Sequence, residues 1–290
     1  MPELDDPSLA ELLAHDLATI FVDTPLAPHA VEHGDALVRA HRRRGPARAM
    51  VLEDPGSRRA LTRAIEVASG VRLPLVEGGL YGIVDVTPVV ERDRVLTLAR
   101  EIAEGGASLV QVRAKGMGDR ATLDIVRAVV DLLAPLTVPV IVNDRPDIAH
   151  AAGAAGVHVG TDDLPLDVCR AILGPHAIVG RSGHSIADLD EGLASGAPSY
   201  LAFGPVFSST TKVGHADVTG TNALESAAAH IPIPLVAIGG FTTPERAAVA
   251  VRKGAAFVAA VSAFASAASP RIDALRFAVA IAIARELAHD

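Results

Sequence analysis

The sequence predicts a (β/α)₈ barrel. From Leu80 onward, short β-branched runs alternate with Ala/Leu-rich amphipathic stretches, and the alternation repeats eight times in about 210 residues. The first strand is followed by Asp85-Val86-Thr87-Pro88. A doubly wound sheet would have fewer strands and a glycine-rich turn at that point.

The predicted strands are Leu80–Val84, Leu109–Val112, Val138–Val142, Val157–Val159, Ala177–Val179, Tyr200–Phe203, Leu235–Ile238 and Phe257–Val261. The helical patterns between and after them begin near Glu91, Asp119, Asp147, Pro165, Ser185, Asn222, Pro244 and Arg271. Residues 77–290 form the barrel on this reading. Residues 1–76 break the rhythm and read as a small, mostly helical extension, with amphipathic patterns at Ser8–Phe21, Ala30–Arg43 and Ser57–Ala68. No chemistry is assigned to it.

Half of the residues are hydrophobic and only 3% are aromatic, which suits Ala-rich helices packed on Val/Ile-rich strands. The net charge of −8, with no basic stripe among aromatics, argues against nucleic acid as a partner. Cys169 is alone, so no intrachain disulfide can form. The acidic start Met1-Pro2-Glu3-Leu4-Asp5-Asp6 is unlike a signal peptide, and no apolar run reaches the ~20 residues that span a bilayer. The expectation is a cytoplasmic protein with no membrane partner. Its oligomeric state is open, a homo-oligomer included.

Chemistry concentrates where strands end. Gln111, Arg113 and Lys115 share one face of the second strand, and two inward cations are costly unless an anion meets them. Arg offers a planar fork to phosphate oxygens and Lys a point charge. The competing explanation is a structural salt bridge to interior carboxylates. Asn143 and Asp144 end the third strand, and Asp162 and Asp163 follow the fourth. Carboxylates beside cations suit Mg²⁺ and a diphosphate, because magnesium takes hard oxygen ligands shared with substrate phosphates. Helix capping by Asp144 and Asp163 is the competing explanation. His158 reads as a satisfied core histidine.

The segment Gly204-Pro205-Val206-Phe207-Ser208-Ser209-Thr210-Thr211-Lys212 continues to a helix only near Asn222, longer than the 2–6 residues usual for such loops, and reads as a substrate-closing lid. Gly239-Gly240 and Val261-Ser262 end strands seven and eight, where barrels of this class commonly bind phosphate. Tight packing is the competing explanation for the glycines, but their position favours the phosphate. Two anion sites suggest two phosphorylated substrates.

Taken together, these segments resemble the thiamine phosphate synthase family over roughly Leu80–Ala267. The matching pieces are Gln111-Val112-Arg113-Ala114-Lys115, Val142-Asn143-Asp144-Arg145, Gly156 through Asp163, Gly204-Pro205-Val206-Phe207 through Lys212, Ala237-Ile238-Gly239-Gly240 and Val261-Ser262. Such enzymes join a hydroxymethylpyrimidine diphosphate to a thiazole phosphate and release diphosphate. The resemblance implies that Gln111, Arg113, Lys115, Asn143 and Lys212 hold the pyrimidine and its diphosphate. It implies Mg²⁺ on Asp144 and Asp163, Ser182 near the reacting pyrimidine, and thiazole phosphate on Ser209, Thr211, Gly240, Val261 and Ser262. Arg113, Lys115, Ser182 and Lys212 would carry the catalysis.

The chain departs from the family pattern at Ala114, Thr161 and Ser208, where Glu, Gln and Pro are usual. A sister group, the thiazole tautomerases, often carries Gly-Arg-Ser-x-His-Ser, present here as Gly180-Arg181-Ser182-Gly183-His184-Ser185. His184 would be its acid–base group. A non-catalytic phosphometabolite-binding barrel is the third reading, opposed by the retained metal and lid residues.

Overall fold

Along each strand alternate residues face the barrel axis, as the two-residue period of a strand requires. Tyr81, Ile83, Leu109, Ile141, Ile178, Tyr200, Ala202, Val236, Phe257 and Ala259 form one buried cluster inside the barrel. Leu80, Val84, Val110, Val112, Val140 and Val142 face the other way, into a larger core beneath the helices.

The computed structural model describes residues 78–195, 198–208 and 217–289. The expected extension, residues 1–76, lies outside the described residues.

Eight parallel strands close into a barrel in chain order: β1 Gly79–Val86, β2 Leu109–Ala114, β3 Val140–Asn143, β4 Gly156–Val159, β5 Ile178–Gly183, β6 Tyr200–Phe203, β7 Leu235–Ile238 and β8 Phe257–Ala260. The intervening helices are α1 Arg92–Glu104, α2 Asp119–Leu133, α3 Pro146–Ala152, α4 Leu166–Leu173, α5 Ile186–Ala194, α6 Gly220–His230 and α7 Pro244–Arg252. After β8 come a short α8, Ser262–Ala265, and the long α9, Pro270–His289. Among the described residues, no helix is long and apolar enough to cross a membrane.

Helix placement follows from side-chain spacing. In α2, Thr122, Ile125, Val126, Val129 and Leu133 recur every three or four residues and are buried against the sheet. Each apolar side chain buried in this way contributes about 1.5–3 kcal/mol. Helix α3 starts with Pro146 and stops at Gly153, whose φ of 68° few other residues adopt readily. Helix α5 is fixed by a capping box: Ser185 accepts from the Asp188 N–H, and Asp188 accepts from Ser185 in return. Helix α9 packs against α1 and α7 and completes the outer ring.

Several element boundaries correct the sequence reading: β1 runs on to Val86, so Asp85 and Val86 belong to the strand and do not follow it, and β2 runs on to Ala114. Strand β5 runs on to Gly183, so Gly180, Arg181 and Ser182 belong to the strand and not to a loop after it. Their polarity hid this: Arg181 faces outward to Glu191 at 2.9 Å, and Gly180 leaves room for the Tyr200 ring. Strand β3 begins at Val140, after Pro139, which has no N–H for the ladder. Helix α8 was not expected, its four residues being too few to show a period.

Candidate active site

The C-terminal ends of β1 to β5 bring most of the polar residues of the barrel to one rim. Asp85 and Arg113 are partners in the β1–β2 register, and Arg113 Nη1 donates to Asp85 Oδ1 at 2.7 Å. The sequence reading missed Asp85. An acid flanking a strand end is common, and only the barrel register shows that it faces Arg113. One strand over, Lys115 Nζ donates to Asp144 Oδ2 at 2.5 Å. Both cations therefore meet carboxylates, as the salt-bridge explanation required. Lys115 nevertheless remains half exposed, at 55%, and open to a ligand.

Asp144 is held unusually. Its φ is 63°, a left-handed conformation that Asp tolerates better than most residues, and its N–H donates to His158 O at 2.8 Å. This fixes the carboxylate over the rim. Asp163 lies close by, its Oδ2 accepting from the Gly160 N–H at 2.7 Å. Partial burial pushes the Asp163 carboxyl above the usual carboxylate range, and the adjacent Asp144 raises it further, while the Gly160 N–H and, more weakly, Lys115 oppose the shift. Neither acid caps a helix: the residues at the starts of α3 and α4 are Arg145 and Pro165, without side-chain caps. The capping explanation is thus corrected. Two adjacent carboxylates that repel one another are a donor set fitted to a hard divalent cation.

Deeper in the barrel, Gln111 is 2% exposed, and its Nε2 donates to Tyr81 Oη at 2.8 Å. Asn143 stands beside His158 in the β3–β4 register. His158 is buried, with Nδ1 2.9 Å from Tyr200 Oη and Nε2 2.8 Å from Ser182 Oγ. It is a hydrogen-bonded core histidine, as expected, and it also holds Ser182. Ala114 packs outward beneath the helices, so the carboxylate usual in the family at that position would not face the interior.

On the far side, the ends of β6 and β7 lie against each other. Gly239 and Gly240 have φ of 96° and 72°, and a Cβ on Gly240 would lie 2.6 Å from Phe207 Cβ and Ser208 O. Tight packing is thus one reason for both glycines. Arg246 braces this turn, its Nη1 donating to Gly240 O at 2.6 Å and its guanidinium lying 4.9 Å from the Phe207 ring centroid. Strand β8 stops at Ala260, one residue before the expected end; Val261 follows it as the cap residue of the four-residue α8, which Ser262 opens. His184 is exposed on the rim, with Nδ1 donating to Gly204 O at 2.5 Å. Ser209, Thr211 and Lys212 lie outside the described residues, together with most of the lid segment.

A closed eight-stranded barrel with cations, a carboxylate pair and a serine at the strand C-termini belongs to the class of (β/α)₈ enzymes that work at that face. The profile of thiamine monophosphate synthase matches residues 80–264. A thiamine-phosphate synthase from Anaeromyxobacter dehalogenans is 40% identical over 220 residues, 76% of this chain and 94% of that protein. One from Salinibacter ruber is 39% identical over 184 residues, 63% of this chain and 80% of that protein. Among solved structures, the thiamine phosphate pyrophosphorylase from Pyrococcus furiosus superposes with a TM-score of 0.63 at 29% identity, covering 71% of this chain and 96% of its own. The chain belongs to the thiamine monophosphate synthase family.

Proposed function

We propose that the barrel joins hydroxymethylpyrimidine diphosphate to thiazole phosphate, forming thiamine phosphate and releasing diphosphate. The observation that carries this reading is the rim cluster of Lys115, Asp144 and Asp163 beside the Arg113–Asp85 pair. Cations and a carboxylate pair on one rim suit a leaving diphosphate with a divalent cation.

Asp144 and Asp163 would hold Mg²⁺. When bound, the ion neutralises charge on the diphosphate oxygens. Arg113 and Lys115 meet the same group, and Lys212 from the lid segment joins them. Their positive charge stabilises the leaving group most as its bond to the pyrimidine methylene breaks. Gln111 and Asn143 orient the pyrimidine, and Ser182 stands near the reacting carbon. The Gly240 turn and the Val261-Ser262 start of α8, with Ser209 and Thr211, place the thiazole phosphate so that its ring nitrogen faces that carbon. The nitrogen lone pair captures the pyrimidine cation, so no protein nucleophile is needed. Positioning and charge carry the rate.

Incubation of the purified protein with both substrates and Mg²⁺ should give thiamine phosphate. Asp144→Ala and Asp163→Ala should each reduce turnover by about 10² or more. Full activity in EDTA, or in either variant, would remove the metal assignment.

A further inference from the structure

Barrel interiors are ordinarily filled by branched apolar side chains. Just beneath the rim, this one contains Gln111, Tyr81, Tyr200 and His158, linked end to end. Gln111 Nε2 donates to Tyr81 Oη at 2.8 Å, and Tyr81 Oη lies 2.9 Å from Tyr200 Oη. Tyr200 Oη lies 2.9 Å from His158 Nδ1, and His158 Nε2 lies 2.8 Å from Ser182 Oγ. The links come from β2, β1, β6, β4 and β5 in turn and end on Ser182.

We propose that this chain is polarised from Gln111 towards Ser182, and that Tyr81, Tyr200 and His158 are positioning residues that present the Ser182 hydroxyl to substrate as a hydrogen-bond donor. The proposal rests on the synthase reading of Ser182. Only one proton lies between each pair of linked atoms. Tyr81 accepts from the Gln111 amide, so its own proton points to Tyr200. Tyr200 then gives its proton to His158 Nδ1, which must be bare. The imidazole is accordingly neutral with its proton on Nε2, directed at Ser182 Oγ. An imidazolium would direct a second proton at Tyr200 and leave that buried phenol's own proton without its acceptor. Burial pushes both phenols well above the usual tyrosine range, so each keeps its proton to donate. Ser182, accepting from His158, has its own proton for the rim. A donor there suits the oxygen that gathers charge as diphosphate leaves. It would oppose a ring nitrogen whose electrons must feed the pyrimidine cation.

Gly180 makes the crossing possible. It stands between His158 and Tyr200 in the strand register, and a Cβ there would lie 2.1 Å from Tyr200 Cζ. With no side chain at Gly180, the Tyr200 ring stacks along the imidazole at an interplanar angle of 8°.

The test is the ¹⁵N spectrum of the wild-type imidazoles, with His158 assigned by its loss in His158→Asn. The expected result is a bare Nδ1 and a protonated Nε2. A protonated Nδ1 overturns the proposal. In kinetics, Tyr200→Phe should lower kcat about tenfold with little change in either KM, since one hydrogen bond's orientation is lost. Tyr200→Phe combined with Ser182→Ala should be no slower than Ser182→Ala alone. Multiplying losses would overturn the coupling. The tautomer is read without turnover. A wild type that made no thiamine phosphate would therefore sink the synthase reading, while the polarity still stood or fell on the nitrogen signals.

Discussion

Arg113 and His184 sit on the same rim and are held differently, and the difference predicts different sensitivities. Arg113 is partly open, with Asp85 on one side, and its remaining N–H groups can meet an anion. His184 has Nδ1 engaged by the Gly204 carbonyl and its backbone N–H engaged by Asp188 at 2.7 Å. It ties the end of β5 to the end of β6, which is an anchoring task. Arg113→Ala should therefore cut condensation by 10² or more, roughly what removal of one preorganised charge-stabilising donor costs. His184→Ala should cost about tenfold or less, below the 10²–10⁴ typical of a lost general acid–base. Both variants should be assayed for condensation and for isomerisation of a carboxythiazole phosphate. A severe His184 effect with a harmless Arg113 change would favour the tautomerase reading.

At the scale of elements, β5 and α5 form a unit whose stability can be tested apart from turnover. Asp188 closes the capping box of α5 and accepts from the N–H groups of His184 and Ser185. The hydrogen bond from the His184 N–H chiefly holds its carboxyl below the ordinary range, against some desolvation. A carboxyl whose pKa falls on folding stabilises the fold above its unfolded value, and that contribution disappears as pH drops through the folded value. Asp188→Ala should cost about 1 kcal/mol near pH 7. The gap between wild type and variant should narrow below about pH 4. Denaturant unfolding across that range would show it, and a constant gap would mean the charge is not involved. Gly180→Ala presses on the rigid Tyr200 ring, where overpacking typically costs about 1–3 kcal/mol. Unchanged stability in that variant would mean that Tyr200 can move aside at little cost.

For the whole molecule, what could be read from the sequence divides by the range of the signal. Alternation of Val/Ile runs with amphipathic stretches is local, so the strand count, the barrel and its rim followed from it. The residues at strand ends were legible because a two-residue period places Arg113 and Lys115 on one face with no tertiary knowledge. Partners from distant strands were not. Asp85 opposite Arg113, and Tyr81 against Tyr200 across 119 residues, depend on barrel closure, and an inward tyrosine looks like any apolar strand residue until its hydroxyl meets another. The same division by range bears on residues 1–76, which no local signal connects to the chemistry. Every residue given a catalytic or binding role here lies beyond Leu80, and the family match begins at residue 80. The Anaeromyxobacter dehalogenans relative is covered over 94% of its length by only 76% of this chain, and so has little counterpart for the remainder. Deleting residues 1–76 should therefore keep kcat within about threefold and leave the Mg²⁺ requirement intact, as expected when no transition-state contact is removed. Steady-state kinetics on the soluble truncated protein, with circular dichroism to confirm its fold, measures this. A folded truncation without turnover would place part of the extension in the catalytic machinery and end the assignment of all site residues to the barrel.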